Sequence, residues 1–376
     1  LGEAPTDVDI AATATPDVVE ERARRWGFHT APTGVEHGTI TVIVAGRPFE
    51  VTTLREDVET FGRKAKVRFG RDFAADALRR DFTINALSAT REGLVHDYAG
   101  GLDDLAARRV RFIGDARARI REDYLRILRL LRFHARYGEG PIDRSALAAA
   151  IAEREGLDTL SRERVRAELM KLIDAPGAAG VLVEADGAGF LTRILGGLAY
   201  PARFAALREA DRRGAGTSET PLRLAALAVL VREDAERLRA ALRLSNSEHA
   251  RLAGAARARE ALIGGPPPVG DAVVALLFEH GRVAARDGLR LAECDAAPDQ
   301  ARGFALARRA LEAAADPVLP FRGADLLERG VKSGRAVGQT LKELQAAWIR
   351  AGFPQDPATL ARLLDEAVAR MRARRG

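Results

Sequence analysis

The run Thr39-Ile-Thr-Val-Ile-Val44, the break Ala45-Gly-Arg-Pro48 and the run Phe49-Glu-Val-Thr-Thr-Leu54 decide the fold class. Two β-branched stretches on either side of a Gly- and Pro-bearing turn predict an antiparallel hairpin. Working outward, Asp7-Val-Asp-Ile10 reads as another short strand and Val110-Arg-Phe-Ile113 as a last one. Between them, Pro16–Trp26 and Asp72–Leu78 carry helical patterns. From Ile120 onward the apolar spacing is almost wholly 3.6-periodic, with Ala, Leu, Arg and Glu dominant. Its breaks fall at Gly138–Pro141, Gly214–Gly216, Gly264–Pro268 and Pro354–Pro357. The expected fold is therefore α+β: a head with a small mixed sheet and helices, followed by an all-α body and tail. The predicted division is a head over 1–115, a helical neck over 116–176, a body over 177–270 and a tail over 271–376.

A chain of 376 residues, 47% hydrophobic and 30% charged, has ample material for more than one core. No window holds 18 uncharged apolar residues, so no membrane-spanning helix is expected, and no secretory n- and h-regions open the chain. Cys294 is the only cysteine, which excludes an internal disulfide, a Cys-based zinc cluster and a CxxC redox pair. No disulfide-linked partner is expected, and a reducing cytoplasm fits this usage. Of 59 basic residues five are lysines, leaving 54 arginines against 53 acids, for a net charge of +6. A GC-rich genome writes such a composition, and so does a phosphate-binding surface, since the guanidinium fork suits phosphate. Distribution separates the two. Ten arginines lie between Arg108 and Arg136, with only Asp115, Glu122 and Asp123 as acids. That basic stripe points to nucleic acid or nucleotide.

Three constellations carry chemistry. In the first, Asp7 and Asp9 stand two apart on a predicted strand and so share a face. Glu50, on the second hairpin strand with Thr52 and Leu54 on its face, is placed to meet them across a sheet. Converging carboxylates repel one another and call for a hard cation such as Mg²⁺ bridging to a substrate phosphate. Alone, a DxD before a polar turn also reads as a cap or a solvated loop. The second is Arg79-Arg80-Asp81-Phe82-Thr83-Ile84-Asn85-Ala86-Leu87, which by itself reads as a helix start. The third is Glu122-Asp123-Tyr124-Leu125-Arg126, running on to Arg129, Arg132 and Phe133. Arginines at every third position draw a slanting ridge above an apolar base. An amphipathic helix with a solvated face accounts for that spacing, although so basic a ridge is expected to repel itself unless a polyanion sits there.

In order and spacing these pieces resemble the class II tRNA nucleotidyltransferases and poly(A) polymerases. The matching stretches are LGEAPTDVDIA, FEVTTLR, RRDFTINAL, DYAGGLDDL, REDYLRILRLLRF, LSRERVRAELMKLIDAP and GADLLERGVKSGRAVGQTL. They span almost the whole chain, the middle third least. The resemblance implies a polymerase-β-like nucleotidyltransferase head and Mg²⁺-dependent addition of C-C-A from CTP and ATP to tRNA 3′ ends. It implies metal binding at Asp7 and Asp9, with Glu50 as third catalytic carboxylate. It implies nucleotide contacts from Arg80, base reading by Asp123 and Arg126, and further nucleotide contacts from Arg129 and Arg132. Thr60–Phe73 is expected to be the flexible loop of the head, and body and tail to hold the acceptor and T arms of tRNA. His96-Asp97 falls in the family's Asp-x-x-Gly-Gly turn and is not taken as a metal pair.

Hydrogen-bond chemistry agrees with the implied base reading. A carboxylate only accepts and so seeks the exocyclic amino group of cytosine or adenine, while arginine only donates and seeks the adjacent ring nitrogen. Uracil and guanine would set a carbonyl against Asp123, at a cost of about 1–3 kcal/mol. Family members carry a Gly-Gly-x-Val-Arg-Asp segment upstream of this LGE stretch, and the chain opens after it at Leu1. The chain as written is therefore expected to be poorly active and less stable than a version with that segment. The residues leave open a poly(A) polymerase, an enzyme adding only CC or only A, and a non-catalytic RNA-binding remnant.

Overall fold

The computed structural model describes residues 8–35, 38–61, 64–214 and 216–374. Two compact units divide the chain at Ile194 and Leu195. The first opens with β1 (Asp9–Ala12), α1 (Pro16–Arg25), β2 (His29–Gly34), β3 (Thr39–Val44) and β4 (Arg47–Thr53). Their sheet has the order β1-β4-β3-β2, parallel between β1 and β4 and antiparallel elsewhere. The expected hairpin is present with a tighter turn. Ala45 and Gly46 both adopt positive φ, +49° and +78°, and Val44 pairs with Arg47, so Arg47 and Pro48 belong to the strand. Pro48 is tolerated there because β1 pairs with β4 only from Glu50 onward, leaving its missing N–H on an unpaired edge.

Alternation decides which sheet face is covered. Ile40 and Val42 turn one way, where Val19 and Ala23 of α1 pack on them with Ala14, Val44 and Val51 around the rim. The opposite face carries Asp9, Thr39, Thr41, Glu50 and Thr52.

Where a loop was expected over Thr60–Phe73, an antiparallel pair β5 (Arg55–Phe61) and β6 (Lys64–Phe69) stands, and residues 62 and 63 of that expectation lie outside the described residues. The sequence signal was present: Lys64, Lys66 and Arg68 alternate with Ala65, Val67 and Phe69 at period two. After it, α2 (Phe73–Leu78) is capped by Asp72, which accepts from the Ala74 N–H at 2.8 Å. The Arg79–Leu87 stretch is no helix start. It holds one 3₁₀ turn over Thr83–Asn85, before β7 (Ser88–Ala89), β8 (Val95–His96) and α3 (Gly101–Ala106). Val110–Ile113 is likewise no strand. It makes a single bridge, Phe112 to Phe82, with the Thr83 N–H donating to Arg111 O and the Ile113 N–H to Asp81 O. Its β-like composition serves burial: Val110, Phe112 and Ile113 are all in the core.

Helices follow as the periodicity predicts: α4 (Ala116–Glu122), α5 (Leu125–Tyr137), α6 (Arg144–Ala152), α7 (Arg162–Asp174), α8 (Ala178–Gly187) and α9 (Phe190–Leu195). In α5 the residues Ile127, Leu128, Leu130 and Leu131 are fully buried, and the helix packs on α7 and α8.

The second unit is helical among its described residues. It holds α10 (Pro201–Arg212), α11 (Thr220–Ala228), α12 (Arg232–Leu242), α13 (Asn246–Glu260), α14 (Asp271–His280), α15 (Arg282–Asp295), α16 (Pro298–Ala313), α17 (Gly323–Glu328), α18 (Arg335–Arg350) and α19 (Pro357–Ala373). Gly288 of α15 lies so near α13 that a Cβ there would come within 2.6 Å of the Ala258 Cβ, which fixes a close helix crossing. Trp348 anchors a separate cluster with Leu326, Leu344, Leu364 and Ala367, its indole N–H donating to Pro354 O at 2.9 Å. Burial pushes the Cys294 thiol up to about 12, which leaves it inert.

Candidate active site: an open carboxylate face and an arginine-lined helix

The parallel register of β1 on β4 sets Asp9 directly beside Glu50, and β3 sets Thr41 on the other side of Glu50. Neighbouring strands lie about 4.8 Å apart with register partners on one face. Both carboxylates are exposed and Thr41 is buried. Below this row, the Thr39 and Thr52 hydroxyls bond each other at 2.9 Å. Asp7 lies outside the described residues. Two adjacent, exposed, oxygen-only donors fit a hard divalent cation. Among the described residues no group of three or more His, Cys, Asp or Glu converges on a metal position. Asp97 is a cap: its oxygens accept from the N–H groups of Ala99, Gly101 and Leu102 at 2.9–3.1 Å.

Arg80 emerges just past the end of α2, held from beneath by Asp76. The Asp76 carboxylate is buried, accepts from Arg79 Nε and Nη2 at 3.0 and 2.9 Å, from Arg80 Nη2 at 3.2 Å, and from the Arg55 N–H at 3.2 Å. Burial alone would push its pKa up, but Arg79, the Arg55 N–H and Arg80 outweigh this and hold it below the usual carboxylate range. Arg80 also donates to Asn85 O at 3.3 Å.

The ridge on α5 does not repel itself, because acids arrive from other elements. Arg126 Nη1 bonds Glu122 and, at 2.8 Å, the Arg119 carbonyl. Arg129 Nε bonds Asp81 Oδ2 at 2.6 Å, and Arg132 Nε bonds Glu168 Oε2 at 2.6 Å. Arg132 further lies over the Phe133 ring, 4.4 Å from its centroid. Asp81 is buried and also accepts from Asn85 Nδ2 and the Phe82 N–H. Burial raises its pKa, and Arg129 with these donors overrides that and depresses it. The arrangement ties the Arg79–Leu87 stretch to α5, with the Phe82 ring in tilted contact with Phe112 and Phe133.

Asp123 occupies the extended residue between α4 and α5. Its Oδ1 accepts from the Leu125 N–H at 3.1 Å and its Oδ2 from Arg164 Nη2 at 2.5 Å. Asp123 and Arg126 thus stand one turn apart, each held by a different partner. Tyr124 between them packs on Gly156, where a Cβ would come within 2.0 Å of the ring.

The supporting residues Asp76, Arg164 and Glu168 escaped the sequence reading. Helical spacing would have found one of the pairs, since Asp76 and Arg80 stand four apart, whereas Arg164 and Glu168 meet partners 41 and 36 residues away.

Comparison with known proteins places this geometry. The profile of the poly A polymerase head domain matches residues 1–111. The chain is 32% identical over 357 residues to the mitochondrial CCA tRNA nucleotidyltransferase 1 of Mus musculus, covering 94% of this chain and 80% of that one. It is 30% identical over 364 residues to the CCA-adding enzyme of Lacticaseibacillus paracasei, covering 95% and 86%. Among solved structures, the Bacillus stearothermophilus CCA-adding enzyme in complex with CTP is similar at a TM-score of 0.74 and 25% identity, over 99% of this chain and 91% of that one.

Proposed function

Because the chain belongs to the CCA-adding tRNA nucleotidyltransferases, we propose that Asp9 and Glu50, with Asp7, carry its chemistry and that Asp123 and Arg126 read its incoming base. The chain is an enzyme that adds C-C-A to tRNA 3′ ends from CTP and ATP, releasing pyrophosphate. In the transfer, the tRNA 3′-oxygen forms a bond to the α-phosphorus as the bond to the β-phosphate breaks, and the hydroxyl proton is lost. Asp7, Asp9 and Glu50 would hold Mg²⁺, which when bound lowers the hydroxyl pKa and neutralises the leaving charge.

The chain's own groups do the rest. Arg80, pinned on one side by Asp76, keeps its outer face for phosphate. Asp123 accepts from the amino group of cytosine or adenine, and Arg126 donates to the neighbouring ring nitrogen with the Nε and Nη2 that carry no partner among the described residues. Arg129 and Arg132, engaged at Nε, complete the nucleotide site with their terminal nitrogens. Rejection of uracil and guanine follows from a carbonyl forced against an acceptor-only carboxylate.

We assign the head to 1–115, the neck with its base-reading helix to 116–176, the body to 177–270 and the tail to 271–376, with body and tail binding the acceptor and T arms through phosphate contacts. No helix among the described residues is long and apolar enough to cross a membrane, and the work of tRNA maturation suits the cytoplasm. The observation that carries the reading of the carboxylates is the parallel register of Asp9 with Glu50, both of them exposed. The test is addition to a tRNA ending at its discriminator base, with Mg²⁺ and all four nucleoside triphosphates, and sequencing of the product ends. A discrete C-C-A is expected. A long A tail or a stop after C-C would move the activity to a poly(A) or CC-only enzyme, and no addition would refute the reading for this chain.

A further inference from the structure

We propose that Arg164 is a specificity-determining positioning residue, which fixes the carboxylate of Asp123 in the orientation that rejects uracil and guanine. The inference rests on the reading of Asp123 given above and adds the group that makes it selective. Discrimination by a carboxylate requires more than its presence. A carbonyl facing Asp123 is costly only if the side chain cannot turn away and let water in between. Asp123 has only two side-chain torsions, and two donors from different elements hold them. The Leu125 N–H, at the start of α5, takes Oδ1 at 3.1 Å, and Arg164 Nη2, in the first turn of α7, takes Oδ2 at 2.5 Å.

The Arg164 bond is charge-assisted and so the stronger of the two. Its base is rigid, because α7 packs on α5 through the fully buried Val165, Leu169 and Leu172. The pair is also open on one side, with side-chain exposures of 25% and 30%. Each carboxylate oxygen therefore keeps acceptor capacity for an incoming amino group. Arg126 is held separately, by Glu122 and the Arg119 carbonyl. The spacing between the acceptor and the donor that meet the base is thus set by α7 on one side and α4 on the other.

The experiment measures kcat/KM of the full chain for CTP and UTP on tRNA lacking C-C-A, and for ATP and GTP on tRNA ending in C-C. Arg164→Gln should lower the CTP-over-UTP and ATP-over-GTP ratios about tenfold or more, while kcat with CTP falls less than about fivefold. Arg164→Lys, which returns a cation to the same carboxylate, should recover most of the selectivity. Unchanged ratios, or an equal loss with all four nucleotides alongside a lowered Tm, overturn the proposal and leave Arg164 a structural ion pair. Should the glutamine variant not fold, Arg164→Met keeps the apolar stem and stands in its place with the same outcomes. Asp123→Asn separates the two failures. If it retains selection of C and A, the base reading of Asp123 itself falls; if it loses selection while Arg164→Gln keeps it, only the role of Arg164 falls.

Discussion

Helix α5 and the pair α13–α15 both carry arginines, and the fold treats them in different ways. On α13 and α15, Arg259 reaches Asp295 at 2.6 Å and the Leu230 carbonyl at 2.9 Å, Arg251 reaches the buried Asp287 at 2.9 Å, and Arg290 reaches Asp211 at 2.6 Å. Side-chain exposure falls to 8% for Arg259 and 6% for Arg290, while Arg251 keeps 19%. On α5 the corresponding values are 17%, 28% and 19% for Arg126, Arg129 and Arg132, and each acid takes a single nitrogen of its partner. The first set braces helices against one another. The second is oriented from behind and left with donors to spare. An arginine-rich sequence therefore does not mark a site by its charge; what marks it is whether the guanidinium groups keep donors that a ligand can reach, since Arg251 Nη2 and Arg290 Nε are buried.

The sharpest test of that contrast sets chemistry against stability. Asp9→Asn removes a carboxylate that is exposed and supports no core, so Tm should hold while addition falls about 10³-fold, the several kcal/mol expected of a metal-binding carboxylate. Arg126→Ala should cost about 10²-fold, in the range of one lost transition-state donor. Retained activity in either variant breaks the assignment of that residue. Asp287→Ala should show the reverse. It leaves Arg251 with Glu219 alone beside a vacated, fully buried position and should destabilise by about 3 kcal/mol in denaturant titration, with kcat per folded molecule unaltered. A fall in kcat at full stability there would dissolve the distinction between the two regions.

Local signals made the hairpin, the helical breaks and the carboxylate row readable in advance. The β-branched runs at 39–44 and 49–54 have one good pairing, and Gly138, Gly214 and Gly264 punctuate the helices where expected. What escaped depended on long-range partners. Val110–Ile113 has strand composition, yet among the described residues its backbone bridges to Asp81–Thr83 and not to a sheet, so it lies in the core as an extended plug. The self-repulsion expected of the α5 ridge failed for the same reason. Asp81 and Glu168 stand 48 and 36 residues from the arginines they meet, beyond any local count of acids and bases. The β5–β6 hairpin is legible in the alternation from Lys64 to Phe69, whereas the loop expected over Thr60–Phe73 follows from the family resemblance alone.

Between the two arginine systems in expected effect lies a steric test of how α5 is seated. Gly156, in the 3₁₀ turn over Arg154–Thr159, leaves room for the Tyr124 ring, and a Cβ would sit within 2.0 Å of it. Gly156→Ala should therefore cost up to about 3 kcal/mol through displacement of Tyr124. Since Asp123 adjoins that ring, CTP-over-UTP selectivity should drop with it. A stable variant with full selectivity would show that Tyr124 does not set the entry to α5.

The smallest effect concerns the Asp81–Arg129 ion pair, which joins the Arg79–Leu87 stretch to α5. Asp81 has a depressed pKa in the fold, burial being outweighed by Arg129 and the donors Asn85 and Phe82. For a depressed carboxyl, the contribution to stability is complete above the unfolded value of about 4 and is lost as pH falls through the lower folded value. Asp81→Asn should thus lower stability by about 1–2 kcal/mol at pH 7, and the gap to the wild type should close as pH is taken from 5 toward 2, because the wild type alone forfeits the charge. Thermal midpoints of both proteins across that range supply the check. A gap that stays constant to pH 2 would mean that Asp81 enters the fold without its charge, and that neutral hydrogen bonds alone join it to Arg129.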